Sequence, residues 1–187
     1  MENDIKKAIE VLKNGGVILY PTDTIWGIGC DATNEKAVEK IYNIKQRSDQ
    51  KSMLVLLDNE NKIPSYINEM PEIAWDLIDL SEKPLTIIYS GAKNLAANLI
   101  AEDGSIGIRI SKDPFNQKLI QRFRKPIVST SANISGETSP QSFSEITQEI
   151  IESVDYVVQW NQDDLQKAQP SSIIKLESTG EVKIIRE

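Results

Sequence analysis

A chain of 187 residues with 21 Lys and Arg against 28 Asp and Glu has material for one domain with a sizeable core, and its net charge of −7 opposes bulk attraction to nucleic acid or anionic lipid. A single cysteine, Cys30, excludes an intramolecular disulfide. The charged opening Met1-Glu-Asn-Asp is unlike a signal peptide, and no apolar run approaches the roughly 18 to 20 residues that span a bilayer, so a reducing, cytoplasmic setting without membrane contact is expected.

In chain order, Ile5, Ala8, Ile9 and Leu12 recur at helical spacing until Gly15-Gly16, and the apolar run at 17–20 predicts a short buried strand ended by Pro21. Asn34 can cap a second helix with Ala37, Val38, Ile41 and Ile44 on its apolar face. That helix delivers Lys45 and Arg47 at its C-terminal end. Residues 53–57 predict a buried strand, Pro71 opens a helix carrying Ile73, Trp75, Leu77 and Ile78, and 85–89 returns to strand. Ile106, Ile108 and Ile110 alternate with Gly107 and Arg109, so with the isoleucines in the core Arg109 projects from the opposite face. A helix near 115–124, a strand at 126–129 and a Ser142-x-x-Glu145 capping box before a further helix follow. Strands are expected at 156–158, 173–174 and 182–186. With no repeat and no linker, the expectation is one α/β domain over 1–187 with a mixed sheet.

Histidine is absent, which removes Ser-His and Cys-His nucleophile pairs, imidazole bases and His-bearing zinc sites. Positioning, cations, hydroxyls and carboxylates remain. Two polar clusters stand out: Lys45-Gln46-Arg47 and Ser129-Thr130-Ser131-Ala132-Asn133, where cations, hydroxyls and an amide suit a phosphate-bearing ligand. Taken singly, each has a plainer reading: solvated cations at a helix end, and a helix cap or ST-turn. Thr22 and Thr24, in Pro21-Thr-Asp-Thr24, read either as a polar turn or as a hydroxyl-lined rim at a strand's carboxyl end. Gly27-Ile-Gly29-Cys-Asp-Ala32 matches a dinucleotide fingerprint, but the helix starts only near Asn34, so these glycines read as close-packing positions. No Walker phosphate loop is present.

The ordered set of motifs resembles the YrdC-like threonylcarbamoyl-AMP synthase family. It comprises Gly16-Val-Ile-Leu-Tyr-Pro-Thr-Asp-Thr-Ile-Trp-Gly-Ile-Gly29, Lys45-x-Arg47, Pro84-Leu-Thr86, Ile108-Arg109, Ser131-Ala-Asn133-x-Ser-Gly136 with Ser139-Pro140, and Ile-Ile-Arg186. The resemblance runs over nearly the whole chain and implies a single α/β domain, a twisted mixed sheet with flanking helices around a concave, positively charged cavity. It implies the condensation of L-threonine, bicarbonate and ATP into threonylcarbamoyl-AMP with release of pyrophosphate, Mg²⁺ accompanying ATP, in service of tRNA modification. Carried over position by position, Lys45, Arg47, Ser131 and Asn133 match the reaction and ATP site, with Ser139 and Arg186 as further ATP contacts. Thr22, Arg109, Ser129 and Ser171 match the threonine site; no residue matches a metal ligand. Trp26 stands where tyrosine is usual, Ser48 replaces the proline after K-x-R, and Lys83 replaces the glycine before Pro84-Leu-Thr86. Ending at Arg186-Glu187, the chain resembles the family's short form, without the additional C-terminal domain.

Two other readings are open at this level. A paralogue of the YciO type would share the fold with a different or weaker reaction, but such relatives often break the S-x-N motif that this chain keeps. A double-stranded RNA-binding module would use the basic cavity, against which the net charge of −7 predicts weak or no direct RNA binding. A tRNA-modifying complex is the expected partner.

Overall fold

The computed structural model describes residues 1–46, 53–164, 166–177 and 179–187. Among these, strands β1 (Ile18–Tyr20), β2 (Gly27–Gly29), β3 (Leu54–Leu57), β4 (Leu85–Tyr89), β5 (Ile106–Ile110), β6 (Ile127–Ser131), β7 (Tyr156–Val157), β8 (Ser172–Leu176) and β9 (Val182–Arg186) form one sheet. Their order is β7-β1-β2-β6-β3-β5-β4-β8-β9. The pairs β1/β7, β3/β5 and β4/β8 are parallel and the other pairs antiparallel, so the expected mixed sheet of an α/β protein is present. The helices are α1 (Glu2–Lys13), α2 (Glu35–Ile44), α3 (Glu72–Asp79), α4 (Pro114–Phe123) and α5 (Gln148–Ser153).

Strand alternation divides the core between the two faces. Ile18 and Tyr20 of β1, Leu56 of β3 and Ile127 of β6 pack with Ile5, Ala8 and Leu12 of α1 and Phe115, Leu119 and Ile120 of α4. Leu19, Ile28, Val55, Leu57 and Val128 face the other way, with Ala37, Val38 and Ile41 of α2. The helix ends follow their caps. Asn34 accepts from the Lys36 and Ala37 amides, and Asp113 accepts from Asn116 N with Pro114 in the first turn of α4.

The α1/α4 layer covers only part of its face. Ser129 and Ser131 share the side of β6 that Ile127 presents to the helices, and Gly107 and Arg109 lie level with Leu54 and Leu56 in the β3/β5 register. Beyond the helices that face becomes a cavity. The same alternation meets the prediction for Arg109, which is buried on the side opposite Ile106 and Ile108.

Two local expectations need correction, and one strand appears that the sequence does not announce. The strand expected at 126–129 runs Ile127–Ser131, because Gly27 and Ile28 pair with Ser131 and Thr130 and extend the ladder into the polar cluster. The glycine-rich segment is itself a strand, β2. A Cβ on Gly29 would stand 2.5 Å from Val128 O and 2.6 Å from Tyr20 Cε1, which bears out close packing as the reason for glycine. Ser142 does not form its capping box: its hydroxyl pairs with Ser144 Oγ, Glu145 turns back to accept from Gln141 N, and only a 3₁₀ turn, Phe143–Glu145, follows before α5.

Candidate active site

The cavity holds ≈ 300 Å³. Its floor is the exposed face of β6, β3, β5, β4 and β8; one rim is the loop at 21–26, and the other is the β8–β9 hairpin with the segment before it. Of the residues singled out in the sequence, Ser129, Ser131, Arg109, Ser139, Ser171 and Arg186 line it. Gly27 and Gly107 keep its floor low. A Cβ on Gly107 would come within 3.3 Å of Thr86 Cγ2, and one on Gly27 within 3.1 Å of Ser129 Oγ.

The two polar clusters do meet, through the main chain. Lys45, the C-cap of α2, is buried to 3% exposure, and its Nζ donates to Ser131 O and Asn133 O, each at 2.7 Å. Lys45 O in turn accepts from Ser135 N at 3.0 Å. Asn133 Nδ2 donates to Ile134 O and Glu137 O and so fixes the turn that contains Gly136, ahead of Ser139; its buried Oδ1 has no hydrogen-bond partner among the described residues. Lys45 and Asn133 therefore stand behind the cavity wall and hold Ser131 in it. Arg47, and with it the second half of the K-x-R cluster, lies outside the described residues, as does the replaced proline position at Ser48.

The other side of the cavity is built from arginines. Arg109, 3% exposed, has Nη2 3.2 Å from Asp23 Oδ1 and 3.4 Å from Thr22 Oγ1. The Asp23 contact is a Coulombic one rather than an aligned hydrogen bond, since Asp23 Oδ1 and Arg109 Nε are both buried without a hydrogen-bond partner among the described residues. Burial pulls the Arg109 pKa down and the Asp23 carboxylate pushes it back up, although a guanidinium stays charged at any working pH. Arg186 donates Nε and Nη2 to Ser171 O at 3.0 and 2.7 Å. Its own pKa is lowered by burial and then by the charge of Arg109, which places two repelling cations in one depression. Such a pair invites an anion.

Thr22 sits at the edge of this arrangement. Its Oγ1 accepts from Thr24 N and donates to Ile25 O at 2.8 Å, pinning the loop at 21–26, and it reaches the cavity through the lining residues Thr24, Ile25 and Arg109. Sequence reasoning gave no role to Asp23 or to Thr86, whose hydroxyl lies 2.8 Å from Ser171 Oγ. Both stand inside quoted motifs, Pro21-Thr-Asp-Thr24 and Pro84-Leu-Thr86, but nothing local says what either side chain meets. Thr86 acquires its place from the β4/β5 register, which sets it opposite Arg109. The one cysteine, Cys30, is buried with its thiol pKa driven up by desolvation, so it is an inert core side chain.

A chain with this sheet, a cavity floored by glycines and serines, and arginines closing it belongs to the Sua5/YciO/YrdC family, whose model, described as "Telomere recombination", matches residues 10–187. It is 38% identical over 188 residues to a putative threonylcarbamoyl-AMP synthase of Methanocaldococcus jannaschii, covering 98% of this chain and 87% of that one. It is 35% identical over 160 residues to the threonylcarbamoyl-AMP synthase of Pseudoalteromonas translucida, covering 84% and 86%. Among solved structures, E. coli YciO superposes with a TM-score of 0.86 at 25% identity, covering all of this chain and 90% of that one. P. abyssi Sua5 complexed with L-threonine superposes with a TM-score of 0.82 at 23% identity over 92% of this chain; the chain spans 50% of that protein's length, and the likeness there is one of fold.

Proposed function

We infer that this protein is an L-threonylcarbamoyladenylate synthase, which joins L-threonine, bicarbonate and ATP into threonylcarbamoyl-AMP and pyrophosphate for tRNA modification. The observation that carries the reading is the cavity in which Arg109 and Arg186 stand over a floor of Ser129, Ser131 and Ser171, within a chain 38% identical to a protein of that name. All three substrates are anionic or carry a carboxylate, and a histidine-free site can serve this chemistry. Threonine's amine and bicarbonate form a carbamate with loss of water. A carbamate oxygen then attacks the α-phosphorus of ATP, the bond to the bridging oxygen of the pyrophosphate breaks, and the electron pair leaves with pyrophosphate. No protein nucleophile is required, so the residues' work is orientation and neutralisation of charge.

In this reading Arg109 takes the amino acid's carboxylate with its planar fork, Ser129 and Ser171 offer hydroxyls around the same substrate, and Thr22 holds the loop at 21–26 and Arg109 at its edge. Ser131, Ser139 and Arg186 face the nucleotide. Lys45 and Asn133 hold the wall carrying Ser131, and Lys45 brings a buried positive charge near the phosphates; Arg47 would add a second. Mg²⁺ is proposed to enter as the counter-ion carried by the ATP phosphates; among the described residues no group of three or more acidic or thiol side chains could hold a metal. The tRNA-modifying machinery is the proposed user of the product. Among the described residues no helix is long and apolar enough to cross a membrane; a cytoplasmic setting is part of the proposal.

The test is pyrophosphate release from Mg-ATP by the purified protein, with and without L-threonine and bicarbonate, coupled to mass detection of the adenylate. Release that needs both co-substrates, with the adenylate mass, is the expected result. A folded protein that binds ATP and releases nothing would overturn the synthase reading in favour of a YciO-type paralogue.

A further inference from the structure

Arg186 sits on the last strand of the sheet, every residue of which is exposed, and β9 pairs with β8. In this edge hairpin β9 is exposed along its length, while β8 buries Ile174 and Leu176 and pairs with β4 on its other side. The hairpin carries two of the site's groups, Arg186 and, just before β8, Ser171. Arg186 is braced on the Ser171 carbonyl through two guanidinium nitrogens, so the placement of Arg186 follows that of residue 171. Ser171 is held in turn by its neighbour: its hydroxyl is 2.8 Å from that of Thr86, and both residues are 2% exposed. Thr86 lies in the interior of the sheet, opposite Arg109 on β5 and opposite Ile173 on β8.

We propose that Thr86 is a positioning residue for both substrates, acting through the Thr86–Ser171 hydroxyl pair to fix Ser171 and, by way of the Ser171 carbonyl, Arg186. Two hydroxyls have two O–H protons, and only one is used between them. The other proton and the remaining lone pairs are left to a ligand in the cavity, in a direction set by the pair. Without Thr86 the Ser171 hydroxyl turns freely and the brace under Arg186 slackens. The roles of Ser171 toward the amino acid and of Arg186 toward ATP rest on the synthase reading above; the hydroxyl tie does not.

Thr86→Val keeps the β-branched shape and strand preference while deleting the hydroxyl, and Thr86→Ser restores it. The expected result is a rise of about tenfold in KM for L-threonine in the valine variant, a smaller rise in KM for ATP, both exceeding any change in kcat, and recovery in the serine variant. Ser171→Ala, which breaks the same tie from the loop side without touching the sheet, is expected to give a similar rise, with no further rise in the double variant. Unchanged KM values in Thr86→Val, full additivity in the double variant, or an equal defect in Thr86→Ser would each overturn the proposal. Calorimetric titration of ATP and L-threonine into the same proteins separates the two readings. A wild type that makes no adenylate ends the synthase reading, while weakened binding in Thr86→Val, rescued by serine, still sustains the positioning role. Unweakened binding there ends it.

Discussion

The two walls of the cavity handle buried charge in opposite ways. On the β6 side the ammonium of Lys45 is bonded to two main-chain carbonyls and the turn after it is stapled by Asn133, so charge and hydrogen bonding hold the protein's own shape. On the β5 and β9 side Arg109 meets Asp23 off-axis with its Nε unpartnered among the described residues, and Arg186 stands within reach of its repulsion. The cation of the first wall is finished without a ligand, although Asn133 Oδ1 there lacks a hydrogen-bond partner among the described residues; the second wall is completed by a ligand. Pre-organised donors with incomplete partners are what a binding site for anions requires.

The largest effect is expected from breaking the finished wall. Lys45→Met takes the buried donor from Asn133 O and leaves Ser131 O with only the Asn133 amide, and it should cost about 3 kcal/mol of stability along with nearly all adenylate synthesis, seen as a lower urea midpoint and a flat product trace. A variant as stable as the wild type would show that Lys45 belongs with the ligand-facing groups instead.

On the unfinished wall, Arg109→Lys keeps the charge and loses the fork. KM for L-threonine should rise by about 30-fold, equivalent to about 2 kcal/mol, with a smaller change in thermal midpoint than Lys45→Met gives. If stability fell as far as for Lys45, the contrast between the walls would fail.

A control far from both walls sharpens the comparison through pH. Asp4 is buried at the start of α1. Desolvation alone would raise its pKa, but hydrogen bonds from Gln159 N and Tyr156 Oη, together with the amino terminus, outweigh burial and hold it below the usual carboxylate range. With the folded-state pKa below the unfolded value of about 3.9, the stabilisation is present above that pH and is lost as pH falls through the folded-state value. Asp4→Asn should therefore cost about 1 kcal/mol at pH 7, the difference from wild type vanishing in strong acid, as followed by urea titration at both pH values, with KM unmoved. The smallest effect is expected at Ile184, 62% exposed on β9: Ile184→Thr should change stability by less than about 0.5 kcal/mol by urea titration, because the side chain faces solvent and the ladder to β8 is kept.

Helices and strands were legible where periodicity was strong. The apolar faces of α1 and α2, the Asn34 cap and the alternation at 106–110 each state a local preference that the packed chain also satisfies. β2 was not legible, since Gly-Ile-Gly has no strand preference of its own and is extended only because β1 and β6 pair with both its edges. The capping box at Ser142 failed because Glu145 found a donor one residue earlier, at Gln141. In the site, Lys45, Arg109, Ser129, Ser131, Asn133, Ser139, Ser171 and Arg186 stood out as residue types and as a motif order. Which of them face a ligand did not.

What the sequence determined alone was chemistry and period: no histidine, one unpaired cysteine, a local rather than global anion preference, and an α/β alternation. Only the tertiary structure decided partnership. Residues 86 and 171, 45 and 133, or 109 and 23 are brought within bonding range by strand register and crossover, and a chain read in one dimension carries no distance between positions that far apart. Hydrogen bonds and ion pairs act over a few ångströms, so whether a lysine holds the wall or faces the ligand is fixed where the sheet sets it down.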